Sequence, residues 1–150
     1  MDSIGRNILA GLQSDGRLSL PEVAERVNMG LSPCHRRVRA LEQSGAIPGY
    51  RASLDPAKMG FNFLAIVFAT LKEGDRKAVS AFEAAVEEIP QIVLAQRLFG
   101  DPDYLMHVVT RDLPAFQKLY DEKLSAMPGV QHLRSTLVMK TVVQDRPFPL

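Results

Sequence analysis

The chain has 150 residues, enough for one ordinary domain or two small ones, and 46% apolar against 23% charged residues exclude a disordered chain. A single cysteine, Cys34, excludes an intramolecular disulfide framework and fits a reducing compartment. Net charge is only +1. Residues 1–60 carry eight Lys/Arg against six Asp/Glu and residues 61–150 carry ten against eleven, so total charge does not decide for or against a nucleic-acid partner.

The first helix is expected from Asp2 or Ser3 to Ser14, with Ile4, Ile8, Leu9 and Leu12 on one face and Asp15-Gly16 ending it. Ser19-Leu20-Pro21-Glu22 reads as a capping box. It opens a second helix whose inner face is Val23, Ala24 and Val27 and which stops at Asn28, a residue that tolerates the left-handed conformation. Ser32 as N-cap with Pro33 at the first helical position starts a third helix that runs to about Ser44. Three helices joined by short connections make a helix-turn-helix unit.

At 100° per residue, Cys34, Val38 and Leu41 fall on one side of the third helix, while Ser32, Arg36, Arg39 and Gln43 fall on the other with His35 at the flank. This separates a packing face from a cationic reading face of the kind that enters a DNA major groove. Arg37 lies nearer the core edge, where it suits a carboxylate or a phosphate as well as a base. Cys34 shares the apolar side and is expected to be a buried small hydrophobe.

Ile47–Leu54 looks extended, and Asp55-Pro56 followed by Met59-Gly60 marks a boundary, giving domains 1–60 and 61–150. Phe63–Leu71 is a strand-like apolar run, too short to span a bilayer. Ala78, Phe82, Ala85, Val86 and Ile89 form one helical face, and strands over Ile92–Phe99 and Tyr104–Thr110 flank the turn Gly100-Asp101-Pro102-Asp103. A helix over Leu113–Met127, with Phe116, Leu119, Tyr120, Leu124 and the stem of Lys123 inward, precedes a last strand over Val130–Val143. The order β-α-β-β-α-β predicts an α+β chain in which a ferredoxin-like sandwich follows the helix-turn-helix.

No charged-then-apolar leader follows Met1, so no membrane partner is expected and the cytoplasm is the expected compartment. His35, His107 and His132 are dispersed and make no metal-site spacing with Cys34. There is no phosphate-cradling glycine loop, nucleophile elbow or paired-carboxylate arrangement, so neither an enzyme nor a cofactor is expected.

Along its length the chain resembles the Lrp/AsnC family of transcription regulators. The resemblance is carried by Asp15-Gly16-Arg17, Ser32-Pro33-Cys34, Arg36-Arg37-Val38, Gly45-Ala46-Ile47, Gly49-Tyr50, Leu54-Asp55-Pro56, Gly100-Asp101-Pro102-Asp103-Tyr104, Pro128-Gly129-Val130 and Leu137-Val138-Met139. It implies a homodimer, further assembled in some members to a tetramer or octamer, on a pseudo-palindromic double-stranded DNA operator. It also implies a small effector, usually an amino acid, bound at subunit interfaces of the second domain. By turn chemistry alone Gly100–Tyr104 is a hairpin connection. The resemblance makes Gly100, Asp101, Asp103 and Tyr104 an effector loop, with Ser135, Thr136 and Val138 completing the pocket from a neighbouring subunit. The alternative on the same scaffold is an enzyme similar to sirohaem decarboxylases. Those carry second-domain histidines and a tryptophan-bearing strand, whereas this chain has no tryptophan and shows Leu94-Ala95-Gln96 where a histidine-bearing segment would stand.

Overall fold

A computed structural model describes all residues, Met1–Leu150, and divides them into two compact units. The first holds Met1–Ser53 together with Val142–Leu150, and the second holds Leu54–Thr141. The last nine residues are exposed and group with the N-terminal helices, to which Gln13 ties Phe148.

In the first unit α1 spans Ser3–Ser14, α2 Leu20–Arg26 and α3 Leu31–Gln43. Asp2 caps α1 through the Gly5 N–H. Ser19 and Glu22 form the reciprocal box at the head of α2. Asn28 is left-handed (φ 51°), and the bonds Asn28 N–H to Glu25 C=O and Met29 N–H to Ala24 C=O close α2 in a Schellman arrangement. That closure brings α3 in two residues earlier than the sequence suggests. Gly30 is its N-cap, without a side-chain cap bond, so Ser32 and Pro33 lie inside the first turn. Ile8, Leu12, Val23, Ala24, Cys34 and Val38 are the buried core, flanked by Ile4, Leu18, Leu20, Val27, Met29, Leu41 and Ile47. Ile47–Leu54 forms no ladder.

The second unit is a four-stranded antiparallel sheet in the order β2-β3-β1-β4, with β1 Phe63–Leu71, β2 Ile92–Arg97, β3 Tyr104–Thr110 and β4 Val130–Leu137. Ala65, Val67, Ala69 and Leu71 alternate with Leu64, Ile66, Phe68 and Thr70 along β1, so one side of the sheet is buried. Tyr104, Met106 and Val108 continue that buried side. It packs against α4 (Arg76–Glu87) through Val79 and Phe82, against Ile89, and against α5 (Leu113–Leu119) through Phe116 and Leu119. Phe82 and Tyr104 stack at 4.6 Å, and Phe63 and Phe116 at 5.2 Å.

The expected single helix to Met127 is α5 followed by a π-helical turn over Tyr120–Leu124, with Ser125 N–H reaching Tyr120 C=O. The wider turn shifts the phase, leaving Lys123 exposed while Leu124 and Met127 stay buried. The last strand ends at Leu137 and not at Val143. Val138 N–H still reaches Leu64 C=O, but β1 begins at Phe63 and offers no ladder beyond it.

Candidate DNA-reading face and effector loop

On α3, Ser32, His35, Arg36, Arg39 and Gln43 are exposed, and Cys34 and Val38 are buried beneath them. Arg37 is set apart. Its Nη1 donates to Asp2 Oδ2 at 2.6 Å, the only ion pair in the molecule. Arg36 and Arg39 therefore have no carboxylate partner and keep their guanidinium forks available, the geometry suited to guanine edges and phosphates.

Beside this face lies a groove of about 320 Å³, lined on α3 by His35, Val38, Arg39 and Glu42 and on its other side by Gly16, Leu18 and Tyr50. The Tyr50 hydroxyl donates to Glu42 Oε1 at 3.1 Å, and burial, with that carboxylate second, holds the phenol above its usual range. Ile47 N–H bonds Leu41 C=O, which fixes the segment after α3 back onto the helix.

In the second unit the turn between β2 and β3 carries Gly100, Asp101, Asp103 and Tyr104, the residues expected to form an effector loop, and their surroundings differ. Gly100 adopts φ 142°, which a side chain would resist. Asp101-Pro102 is a cis peptide. Asp103 builds the turn itself: its Oδ2 accepts the Leu71 N–H at 2.8 Å, its N–H donates to Ala69 C=O and its C=O accepts from Leu98. Tyr104 points to the helix-covered side, 3% exposed, where its hydroxyl donates to Glu83 Oε1 at 2.6 Å. Burial first, then Glu83, pushes its phenol up to about 12.

Asp101 and Pro102 face the side of the sheet that carries no helix. There a cavity of about 410 Å³ is lined by Asp101, Pro102, Phe68, Thr70, Gln131, His132 and Arg134. The Arg134 guanidinium sits 4.7 Å above the Phe68 ring. Gln131 and Arg134 carry no local sequence signal as cavity residues, and His132 stands in the sequence only as a dispersed histidine. Their signal is register: β4 starts opposite Leu71, beside the turn.

Ser135, Thr136 and Val138 lie at the far end of the same strand. Ser135 stands opposite Val67, Thr136 opposite Ile66, and Val138 bonds Leu64. Thr136 is five β1 positions from Leu71, about 17 Å along the strand. Within one chain these residues and the turn are not brought together.

A helix-turn-helix with an unpaired cationic face, joined to a separate sandwich with an uncovered sheet side and a polar cavity, defines a ligand-responsive DNA-binding regulator. Comparison with known proteins sharpens this. Residues 1–47 match the winged helix-turn-helix DNA-binding family model, and residues 64–148 match the Lrp/AsnC ligand binding domain. The chain is 40% identical over 145 residues to the leucine-responsive regulatory proteins of Salmonella typhimurium (strain LT2) and Escherichia coli (strain K12), covering 97% of this chain and 88% of each relative. Among solved structures it is similar to a transcriptional regulator of Neisseria meningitidis in complex with L-Met, with TM-score 0.93, 31% identity, and 99% and 96% of the two chains covered. It is also similar to an AsnC family regulator of Agrobacterium tumefaciens, with TM-score 0.92, 29% identity, and 99% and 97% covered. The chain belongs to the Lrp/AsnC family. It is a DNA-binding transcriptional regulator with a ligand-binding domain and not an enzyme, so the decarboxylase alternative is not favoured. No helix is long and apolar enough to cross a membrane.

Proposed function

We propose that the protein works as a homodimer, a building block for a tetramer or octamer, that sets two copies of α3 into successive major grooves of a pseudo-palindromic operator, roughly 34 Å apart. The observation that carries this reading is that Arg36 and Arg39 stand exposed and unpaired on α3 while Arg37 is tied to Asp2. Ser32, His35 and Gln43 border the two free arginines and supply the remaining polar contacts. Dimerisation through the uncovered side of the sheet is supported by Leu64, Ile66, Phe68, Leu105 and Val109, apolar residues on that side with no helix over them.

The effector is an amino acid, as the L-Met complex of the similar Neisseria protein suggests. Asp101 offers a carboxylate to its ammonium group and Arg134 a guanidinium to its carboxylate. Gly100, Asp103 and Tyr104 hold the turn in shape, and Ser135, Thr136 and Val138 reach the ligand from a neighbouring copy. The working compartment is the cytoplasm, where the operator DNA lies.

Fluorescence anisotropy on a duplex selected from a random pool by the wild-type protein, against a scrambled duplex, tests the reading. Arg36→Ala with Arg39→Ala is expected to abolish the preference for the selected duplex. A preference left intact sinks the assignment of the reading face. Adding amino acids singly to the wild type is expected to change the selected-duplex affinity for at least one of them, and Asp101→Asn to remove that response.

A further inference from the structure

We propose that Arg17 and Arg51 hold the phosphate strand along one wall of the major groove that α3 enters, a contact separate from base reading. The inference rests on the proposed docking of α3. It starts from the groove beside the helix. Arg39 belongs both to the reading face and to the groove lining, and His35 and Glu42, one helical turn to either side of it, line the groove with it. That flank therefore borders the reading face, and a helix seated in a major groove has a phosphate strand along each flank.

Two loops stand on this flank. Gly16 and Leu18 bring the α1–α2 connection to it, and Tyr50 brings the segment after α3. They meet there: a methyl group on Gly16 would lie 3.7 Å from Tyr50 Cδ1. Arg17 and Arg51 are the next residues after the two that touch, so they flank one groove. Both are exposed and neither has a carboxylate partner.

The backbone of Arg17 and the residue before Arg51 are held in place, which limits the ordering needed on binding. Arg17 N–H donates to Asp15 Oδ1 at 2.9 Å, and Tyr50 is fixed to Glu42. Glu42, the one carboxylate lining the groove, is engaged by the Tyr50 hydroxyl. The opposite flank differs, since Arg37 there is neutralised by Asp2. The unpaired cations thus favour one wall, and an exposed anion with regularly spaced charge is the complement to them.

Arg17→Ala and Arg51→Ala, singly and together in the full chain, are read by anisotropy on the selected and the scrambled duplex across a salt series. Circular dichroism confirms that each variant keeps the wild-type melting curve. Each substitution removes two phosphate contacts per dimer, so it is expected to weaken both duplexes by the same factor and to reduce the steepness of the log-affinity against log-salt plot by about 1.8. Arg17→Lys and Arg51→Lys keep the wild-type slope. An unchanged slope, or a loss confined to the selected duplex, overturns the assignment while leaving α3 as the reader. Failure of the wild type to select any duplex overturns the docking of α3 and this contact with it.

Discussion

One carboxylate, that of Asp2, joins two helices of the DNA-binding unit. Its Oδ1 accepts the Gly5 N–H at 2.9 Å and caps α1, while its Oδ2 takes the Arg37 guanidinium from α3 at 2.6 Å. The capping N–H first, and Arg37 second, hold this carboxyl below the ordinary carboxylate range. Helix α3 is thereby fastened to the first residues of the chain.

Asp2→Asn keeps a competent cap and loses the charge, whereas Asp2→Ala loses both. Thermal melts at neutral pH should therefore rank wild type above Asn above Ala. Because the folded-state pKa is depressed, the contribution of Asp2 is present above the ordinary carboxylate pKa and fades as pH falls through the lowered value. The gap between wild type and Asp2→Asn should close on acidification while Asp2→Ala stays below both, and a wild-type advantage over Asn that persists in strong acid would show that the charge is irrelevant.

Arg36 and Arg37 are neighbours in sequence with separate consequences. If Arg36 reads a guanine, its replacement by Ala should cost about 1–3 kcal/mol of binding per half-site and relax preference at one position in each half-site. Arg37→Ala should instead lower the melting temperature slightly and leave the operator sequence preference unchanged. Binding-site selection with each variant separates the two.

The phenol of Tyr104 should titrate well above the ordinary tyrosine range. Its pKa is pushed up to about 12 by burial and by Glu83, so the folded state holds this proton more tightly than the unfolded chain. Stability from this group is complete below the ordinary tyrosine pKa of 10 and declines as pH rises from there toward 12. Ultraviolet titration should show one late tyrosinate that Tyr104→Phe removes. That variant also loses a hydrogen bond, with an expected cost of about 0.5–1.5 kcal/mol.

Cys34 is wholly buried, and burial raises its thiol pKa. A thiol reagent should modify it only at the rate at which the first unit opens, and denaturant should accelerate labelling. Cys34→Ser should destabilise by about 1–3 kcal/mol, the cost of a buried hydroxyl left without a partner. Rapid labelling of the native protein would contradict its place in the core.

Periodicity made the helices legible, and alternation made β1 and β3 legible, because each buries one face against a partner inside the same chain. The exposed, cationic side of α3 followed from the same count, since Cys34 and Val38 fix which side turns inward. What depended on relations between distant residues was not legible. The Arg37–Asp2 pair spans 35 positions, and no local pattern distinguishes it from a solvated arginine. The end of β4 is set by the start of β1, and the meeting of Asp101 with His132 and Arg134 is set by strand register. The π-helical turn at Tyr120 has the same apolar spacing as an ordinary helix until one residue slips outward.

The placement of Val142–Leu150 in the first unit bears on how this architecture can be recombined. The side-chain amide of Gln13 on α1 bonds both the N–H and the C=O of Phe148, at 2.9 and 2.7 Å, like a strand partner supplied by a single residue. The polypeptide crosses between its units twice, at Ser53/Leu54 and again at Thr141/Val142. A chimaera that grafts these reading helices onto a foreign sensor at one junction would leave α1 facing another protein's tail. Transplanting the DNA-binding specificity intact requires two splices, one on either side of the sensor.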